Sequence, residues 1–483
     1  MDNPAPQLTQ GDHSLGRSNV GQTNDLNSYG IVSYAAPIAG SYFFYISMFS
    51  VLPGVYGKYF GLPLTSIATV VLVIRLFDGV IDTTTGYLSD RHRCAGGSRK
   101  PWVMVGGLCS IVACYFLFIP PTHTTTAYYL IWSMAYFLAF TIGEIPHLTW
   151  GSELTMNYQE RANIFGIRNM LARFGMTFFY ALPLLAFSAS TGYTPHVMRS
   201  AVYVGAAMTI IGLVQALLAA PAGVPLRLPH KDNFRLFAQS FIHNRPLLIY
   251  FASFVCVGLS VGMWSGLTFF YIDSYLGLGG KLSVMLLVGS AIGGLATPLW
   301  LKVINRTSKS TVWAIGIATF TVQLALMTPL TPGCSWWLPL LCIILAHVCF
   351  CCHDVAALAS LGDIVDYGKL KFRRDRGATY FGVNTLLFKV GLGVGGGIGL
   401  TTAGLFGFDP SKEAHSAAAV LGLKLGFTIL PAIFALLGLG MILRTPISKQ
   451  RHDVIRRRLE SLANRVRERP LEQKRAGEAY DVI

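Results

Sequence analysis

Charge is what this chain has least of. Only 13% of its 483 residues are Asp, Glu, Lys or Arg and 53% are hydrophobic, whereas an ordinary soluble domain is about 25% charged. That scarcity excludes a soluble enzyme. Polar interruptions are also too few for an outer-membrane barrel, whose strands alternate polarity over about 10 residues, because runs such as 247–270 are nearly unbroken. No secreted disulfide framework is expected, since seven of the nine cysteines (Cys109, Cys114, Cys256, Cys342, Cys349, Cys351, Cys352) lie inside apolar blocks. Cys349, Cys351, Cys352 and His353 sit close together, but no paired Cys-x-x-Cys repeat accompanies them, so they read as small buried groups rather than metal ligands. A zinc-binding His-Glu-x-x-His and a nucleotide-binding loop are both missing. No enzyme, cofactor or metal is therefore expected. The first 28 residues are polar without a signal-peptide pattern, and the first apolar block is read as the targeting signal.

What the chain does have is apolar blocks of about 20 residues, each long enough to cross roughly 30 Å of hydrocarbon as a helix. Twelve are placed near 30–57, 63–88, 101–120, 126–150, 162–188, 200–222, 247–273, 281–303, 311–330, 337–361, 378–405 and 417–443. The expected fold is therefore an all-α membrane protein of twelve transmembrane helices. The polar stretch 223–246 divides it into two six-helix bundles, 29–222 and 247–443, with a segment 1–28 before them and a basic tail 444–483 after them. Two such halves suit a site at the bilayer midplane, although no sequence repeat between them is visible. The net charge of +15 concerns topology, not nucleic acid. About 29 of the 38 Lys and Arg fall on the side of the termini, including Arg91, Arg93, Arg99, Lys100, Arg227, Lys231 and the 369–376 group. The opposite loops carry only Lys58, Arg199, Lys281 and Lys412. Both termini are thus expected in the cytoplasm of a multi-pass protein of the cell membrane. The tail from 454 to 466, with Arg456 to Arg458, reads as a surface helix facing anionic lipid or as a solvated segment.

A charge inside a span costs several kcal/mol unless it lines a cavity or finds a partner, so each is a functional candidate. Span two places Arg75, Asp78 and Asp82 on one helical face. Two carboxylates together suit a small hard cation or a carried proton. Span four places Thr141, Glu144 and His147 on one face, with Pro146 loosening the helix between them. Span eleven carries Thr385 and Lys389, then six glycines between 391 and 399 that admit close packing and bending. Lys389 needs an acid, and the Asp78 and Asp82 pair is the natural one. Arg168 and Arg173 in span five and Lys424 in span twelve read as interfacial cations, while Asp354 in span ten sits deeper.

Two stretches then resemble a known family. The run Arg75-Leu-Phe-Asp78-Gly-Val-Ile-Asp82 continues into Gly86-Tyr-Leu-Ser-Asp90-Arg91 and Arg99-Lys100-Pro101-Trp102. The run Asp363-Ile-Val-Asp366-Tyr367-Gly368 is followed by Lys371, Tyr380, Asn384, Thr385 and Lys389. Together with Glu144-Ile-Pro146, Glu160-Arg161 and Arg168, these resemble the major-facilitator branch of glycoside, pentoside and hexuronide cation symporters, the melibiose-carrier family. The resemblance implies a cation site at Asp78, Asp82 and Thr141 near Lys389. Ile81 stands where sodium users have Asn, which favours H+ as the coupling ion, with Na+ as the alternative. Glu144, Arg168, Asn384, Thr385, His147 and Asp354 are the expected solute contacts. Departures fall on sugar recognition: Pro37 aligns with an acidic residue of the family, and Leu148 and Asp354 align with the aromatic positions that flank its sugar.

Asp90, Arg91 and Arg99, with Asp363, Asp366 and Arg374 in the second half, are expected to form a cytoplasmic gate whose charge networks bias a two-state equilibrium. The function expected is cation-coupled symport of a small polar solute, a sugar, glycoside or sugar derivative, by a monomer in the bilayer. The alternatives are an amphipathic or exported solute on the same fold, or a membrane receptor that transports nothing.

Overall fold

The computed structural model describes residues 28–155, 158–185, 191–223, 241–372, 377–445, 451, 453–455, 457–459 and 461. Among these, eleven helices are long and apolar enough to cross a membrane. A twelfth, Tyr158–Ala181, has 24 residues, about 36 Å at helical rise, but carries Glu160, Arg161, Arg168 and Arg173. Its polarity is tolerable because Arg168 and Arg173 are each paired with a carboxylate, Glu144 and Asp354.

In chain order, span one is broken into Ser28–Ala35, Pro37–Ser50 and Leu52–Phe60, with Pro37 and Pro53 each opening a new segment. Span two is Leu64–Cys94, three Lys100–Phe118, four Thr126–Glu153, five Tyr158–Ala181 and six Pro195–Ala219. Span seven is Arg245–Phe269, continued by a π-helical turn over Phe270–Tyr275. Span eight is Gly279–Leu295 and Thr297–Arg306, nine Lys309–Met327, ten Trp337–Phe372 and eleven Gly377–Leu405. Span twelve is Ala417–Lys424, a π-helical turn Leu425–Ile429, and Leu430–Ile442.

Short polar caps start several of these helices. Thr125, Thr194, Asn244, Ser308 and Ser416 each accept a hydrogen bond from the backbone N–H three residues on, which satisfies a donor the helix itself cannot. Spans two and ten run past their apolar limits near 88 and 361 to Cys94 and Phe372. Their extensions carry the charged motifs, because helical hydrogen bonding continues where the apolar run stops.

Packing repeats between the halves. Span one lies against five and six, two against four, and three against four and six; seven lies against eleven and twelve, eight against ten, and nine against ten and twelve. The two halves thus share one packing plan with no visible sequence repeat. They meet chiefly through spans two and eleven, five and eight, and one and seven. Large apolar side chains such as Leu108, Val112, Ile211, Leu436 and Leu437 are exposed on the outside, an arrangement suited to a hydrocarbon surround.

The contacts between halves gather at the end remote from Ser28, Pro221 and Ile442. There Lys58 Nζ lies 2.5 Å from Asp273 Oδ2, and Gly54 and Gly57 pack against Phe269 and Phe270. On the side of the chain ends, the ion pairs that Glu153 makes with Arg93 and Arg99, that Asp90 makes with Arg99, and that Asp363 makes with Lys309 each stay within one half. Among the described residues, the molecule is closed on the far side, and these ion pairs on the side of its ends do not join the halves.

Candidate functional site

Spans two, four and eleven bring together the charges that sequence had placed on separate helices. Arg75 Nη1 donates to Asp78 Oδ2 at 3.0 Å, both residues being 4% exposed. Thr141 Oγ1 donates to Asp82 Oδ1 at 3.1 Å and lies 3.4 Å from Asp78 Oδ1. Lys389 Nζ donates to Asp82 Oδ2 at 2.6 Å across 307 residues of chain. The Arg75 guanidinium also lies 4.3 Å from the centroid of Phe49 and 5.0 Å from that of Phe137, so aromatic faces take the place of hydrogen-bond acceptors around its buried Nε and Nη2. Gly393 makes this fit possible, since a Cβ there would overlap the Arg75 side chain. Two carboxylates face two bases, and both are engaged.

A second cluster lies on the next turn of span four. Glu144 Oε1 accepts from Arg168 Nη2 and, at 3.3 Å, from the Tyr42 hydroxyl. Its Oε2 is buried with no protein donor among the described residues, an acceptor costly to leave unpaired. A cavity of about 20 Å³ between spans one, three, four and six is lined by Glu144, Ser41, Ser110 and His147.

Several expected residues take other places. His147, 2% exposed, stacks on Tyr34 at 4.4 Å between centroids, bonds through Nε2 to the Tyr34 carbonyl at 2.8 Å, and receives Arg168 Nε on Nδ1 at 3.4 Å. It therefore braces Arg168 from the wall of the cavity beside Glu144. Asn384, 3% exposed, accepts the Tyr250 hydroxyl at 3.0 Å inside its own bundle. Thr385 is exposed one turn from Lys389 and returns its hydroxyl to the Phe381 carbonyl. Asp354 is accessible and pairs with Arg173 of span five at 3.4 Å, so Arg173, read from sequence as an interfacial cation, bridges the halves.

At the chain-end side, Arg99 donates to Asp90, to Ser89 and to Glu153 at 2.7, 2.8 and 2.7 Å. Arg93 donates to the other Glu153 oxygen at 3.0 Å. Arg91 is exposed and outside this network, so the second arginine is Arg93, two residues on. Glu153 was not anticipated: it closes span four beside Trp150, where nothing in its neighbourhood marks it as a partner for span three. Lys309 pairs with Asp363 within the second half. Asp366 lies in the same extension of span ten, while Arg374 lies outside the described residues, as do Arg227, Lys231 and Arg456.

Gly258-Leu259-Ser260-Val261-Gly262 has the spacing of a hydrolase nucleophile turn, but it lies within a membrane helix. Ser260 is fully buried and donates to the Pro431 carbonyl at 2.6 Å, and both glycines pack against span eleven. It is a packing motif.

Twelve spans in two like-packed halves, closed at one end around buried charge clusters, define a multi-pass membrane transport protein of the major-facilitator type. The chain belongs to the family described as MFS/sugar transport protein, whose sequence model matches residues 28–449. It is 23% identical over 406 residues to a glucuronide carrier protein homolog of Escherichia coli K12, covering 82% of this chain and 87% of that one. It is 22% identical over 423 residues to the raffinose carrier protein of Pediococcus pentosaceus, covering 82% and 64%. Among solved structures, the fold is similar to a point mutant of the nucleoside transporter NupG, with TM-score 0.66 at 14% identity over 86% of this chain and 99% of that one. A bacterial homolog of the human lysosomal transporter Spinster, in an inward-facing unoccupied conformation, is similar with TM-score 0.64 at 14% identity, over 88% and 99%.

Proposed function

We propose that this protein is a proton-coupled symporter of a sugar or sugar derivative, working as a monomer with both termini in the cytoplasm. The observation that carries the reading is the bond from Lys389 to Asp82. It joins the two halves where Asp78 and Asp82 stand side by side. A cation arriving there must displace a resident base, and displacing Lys389 alters the contact between halves; binding and rearrangement are therefore linked. Three features favour a proton over sodium. Each carboxylate already holds a base, Ile81 offers no oxygen beside them, and protonating a carboxylate releases its base without needing a new set of ligands.

The solute reading rests on Glu144. Its unpaired Oε2 suits a hydroxyl donor, and Arg168, held by His147, fixes the other oxygen. Sugar relatives such as the raffinose and glucuronide carriers support that class of solute, and Thr385, Arg173 and Asp354 offer further polar contacts.

The test uses purified protein in liposomes loaded with a pH-sensitive dye, to which glycosides, uronides and lipid-like solutes are added with and without sodium. Solute-dependent acidification of the lumen by a sugar is expected. Uptake that requires sodium and moves no protons would overturn the choice of ion, and response to lipid-like solutes alone would overturn the choice of cargo.

A further inference from the structure

The two charge clusters do not touch, and what lies between them is one face of span one. Tyr42, Tyr45 and Phe49 follow at spacings of three and four, which stack them along a single helical stripe. The ends of the stripe are tied down: the Tyr42 hydroxyl bonds to Glu144 at 3.3 Å, and the Phe49 ring lies under the Arg75 guanidinium at 4.3 Å. Tyr45, in the middle, is half-buried. Its ring stacks on Phe140 of span four with centroids 4.7 Å apart and planes at 23°, and meets Phe49 edge-on at 5.0 Å. No hydrogen bond from its hydroxyl to another described residue is formed.

We propose that Tyr45 is the specificity-determining residue through which solute and coupling ion sense each other. Its ring offers an aromatic contact to the apolar C–H face of a sugar ring, and its free hydroxyl bonds a solute hydroxyl between the ends of the stripe that Glu144 and Arg75 tie down. This rests on the reading of a cation-coupled sugar carrier given above. A solute held there alters the polar surroundings of Arg75 and Asp78. Coupling is reciprocal, so protonation of that cluster must change solute affinity by the same factor. Tyr42 cannot serve, because its hydroxyl is committed to Glu144, and Phe49 has none.

The test compares full-length wild type, Tyr45→Phe and Tyr45→Leu in nanodiscs, measuring affinity for the sugar that the wild type transports at acid and alkaline pH. Tyr45→Leu is expected to weaken binding about tenfold, the scale of a lost aromatic contact and hydrogen bond, and to remove most of the pH dependence of affinity. Tyr45→Phe keeps the ring, so its affinity at acid pH should stay within about threefold of wild type while the pH dependence collapses. Wild-type affinity and pH dependence in both variants would overturn the proposal. So would a loss of thermal stability with an unchanged ratio of affinities, which is what a purely structural tyrosine would give. Should Tyr45→Leu fail to fold, the near-isosteric Phe variant decides alone. A wild type whose sugar affinity ignores pH would instead overturn the proton-coupled reading, and this proposal with it.

Discussion

At Asp82 two bonds stand in the way of any coupling ion, from Thr141 at 3.1 Å and from Lys389 at 2.6 Å. At Asp78 the obstacle is Arg75 at 3.0 Å. Asp78→Asn keeps the shape of the site and removes its charge, leaving Arg75 buried without its acid. Gradient-driven accumulation should fall to an inside-to-outside ratio of about one, while solute exchange at equal concentrations persists; undiminished uphill uptake would remove Asp78 from coupling. Glu144→Gln should weaken solute binding about ten- to hundredfold, the cost of replacing a hydrogen bond to a charged group, and isothermal titration at wild-type affinity would move the solute elsewhere. These carboxylates were legible because charge is so rare in the spans. Tyr45 and Tyr42 were not, since an aromatic residue in an apolar block looks like any other core residue. Glu153 and Arg93 were also missed: charges at helix ends are common, and only the fold shows which of them meet.

Span eleven shows how one run of glycines serves two neighbours. A Cβ at Gly391, Gly395 or Gly399 would press on Gly258, Leu259 or Met263 of span seven, within the same bundle. A Cβ at Gly393, Gly397 or Gly404 would press on Arg75, Leu72 or Thr65 of span two, in the other bundle. The sequence predicts close packing here, but it does not divide the stripe, because successive glycines carry no side chain to mark a face. The division predicts two phenotypes. Gly395→Val overpacks a permanent interface and should lower the yield of folded protein, an effect of about 1–3 kcal/mol. Gly397→Val crowds a contact that opens during transport, so folded yield should hold while the closed far side becomes less populated. Size-exclusion profiles and thermal melts of the two variants check the contrast, and equal damage by both would refute it.

Across the whole molecule, the far side is held by Lys58 and Asp273, whose side chains are 30% and 7% exposed. Removing Lys58 leaves Asp273 buried and unpaired only while that side is closed, which penalises the closed state selectively. Lys58→Ala should therefore raise hydrogen exchange in 52–62 and 269–276, and unchanged protection there would show that apolar packing alone holds the gate. Chain order by itself determined the membrane environment, the twelve spans and the helices that carry charge, because hydrocarbon tolerates so few alternatives that composition and block length suffice. It also confined Asp78, Asp82, Thr141 and Glu144 to known helical faces, since spacing fixes direction around a helix. Only the tertiary structure decided that Lys389 reaches Asp82 across 307 residues, that His147 and Asn384 turn inward, and that Tyr45 stands between the clusters. Those outcomes depend on how separate helices are rotated and set against one another, and no local pattern encodes that.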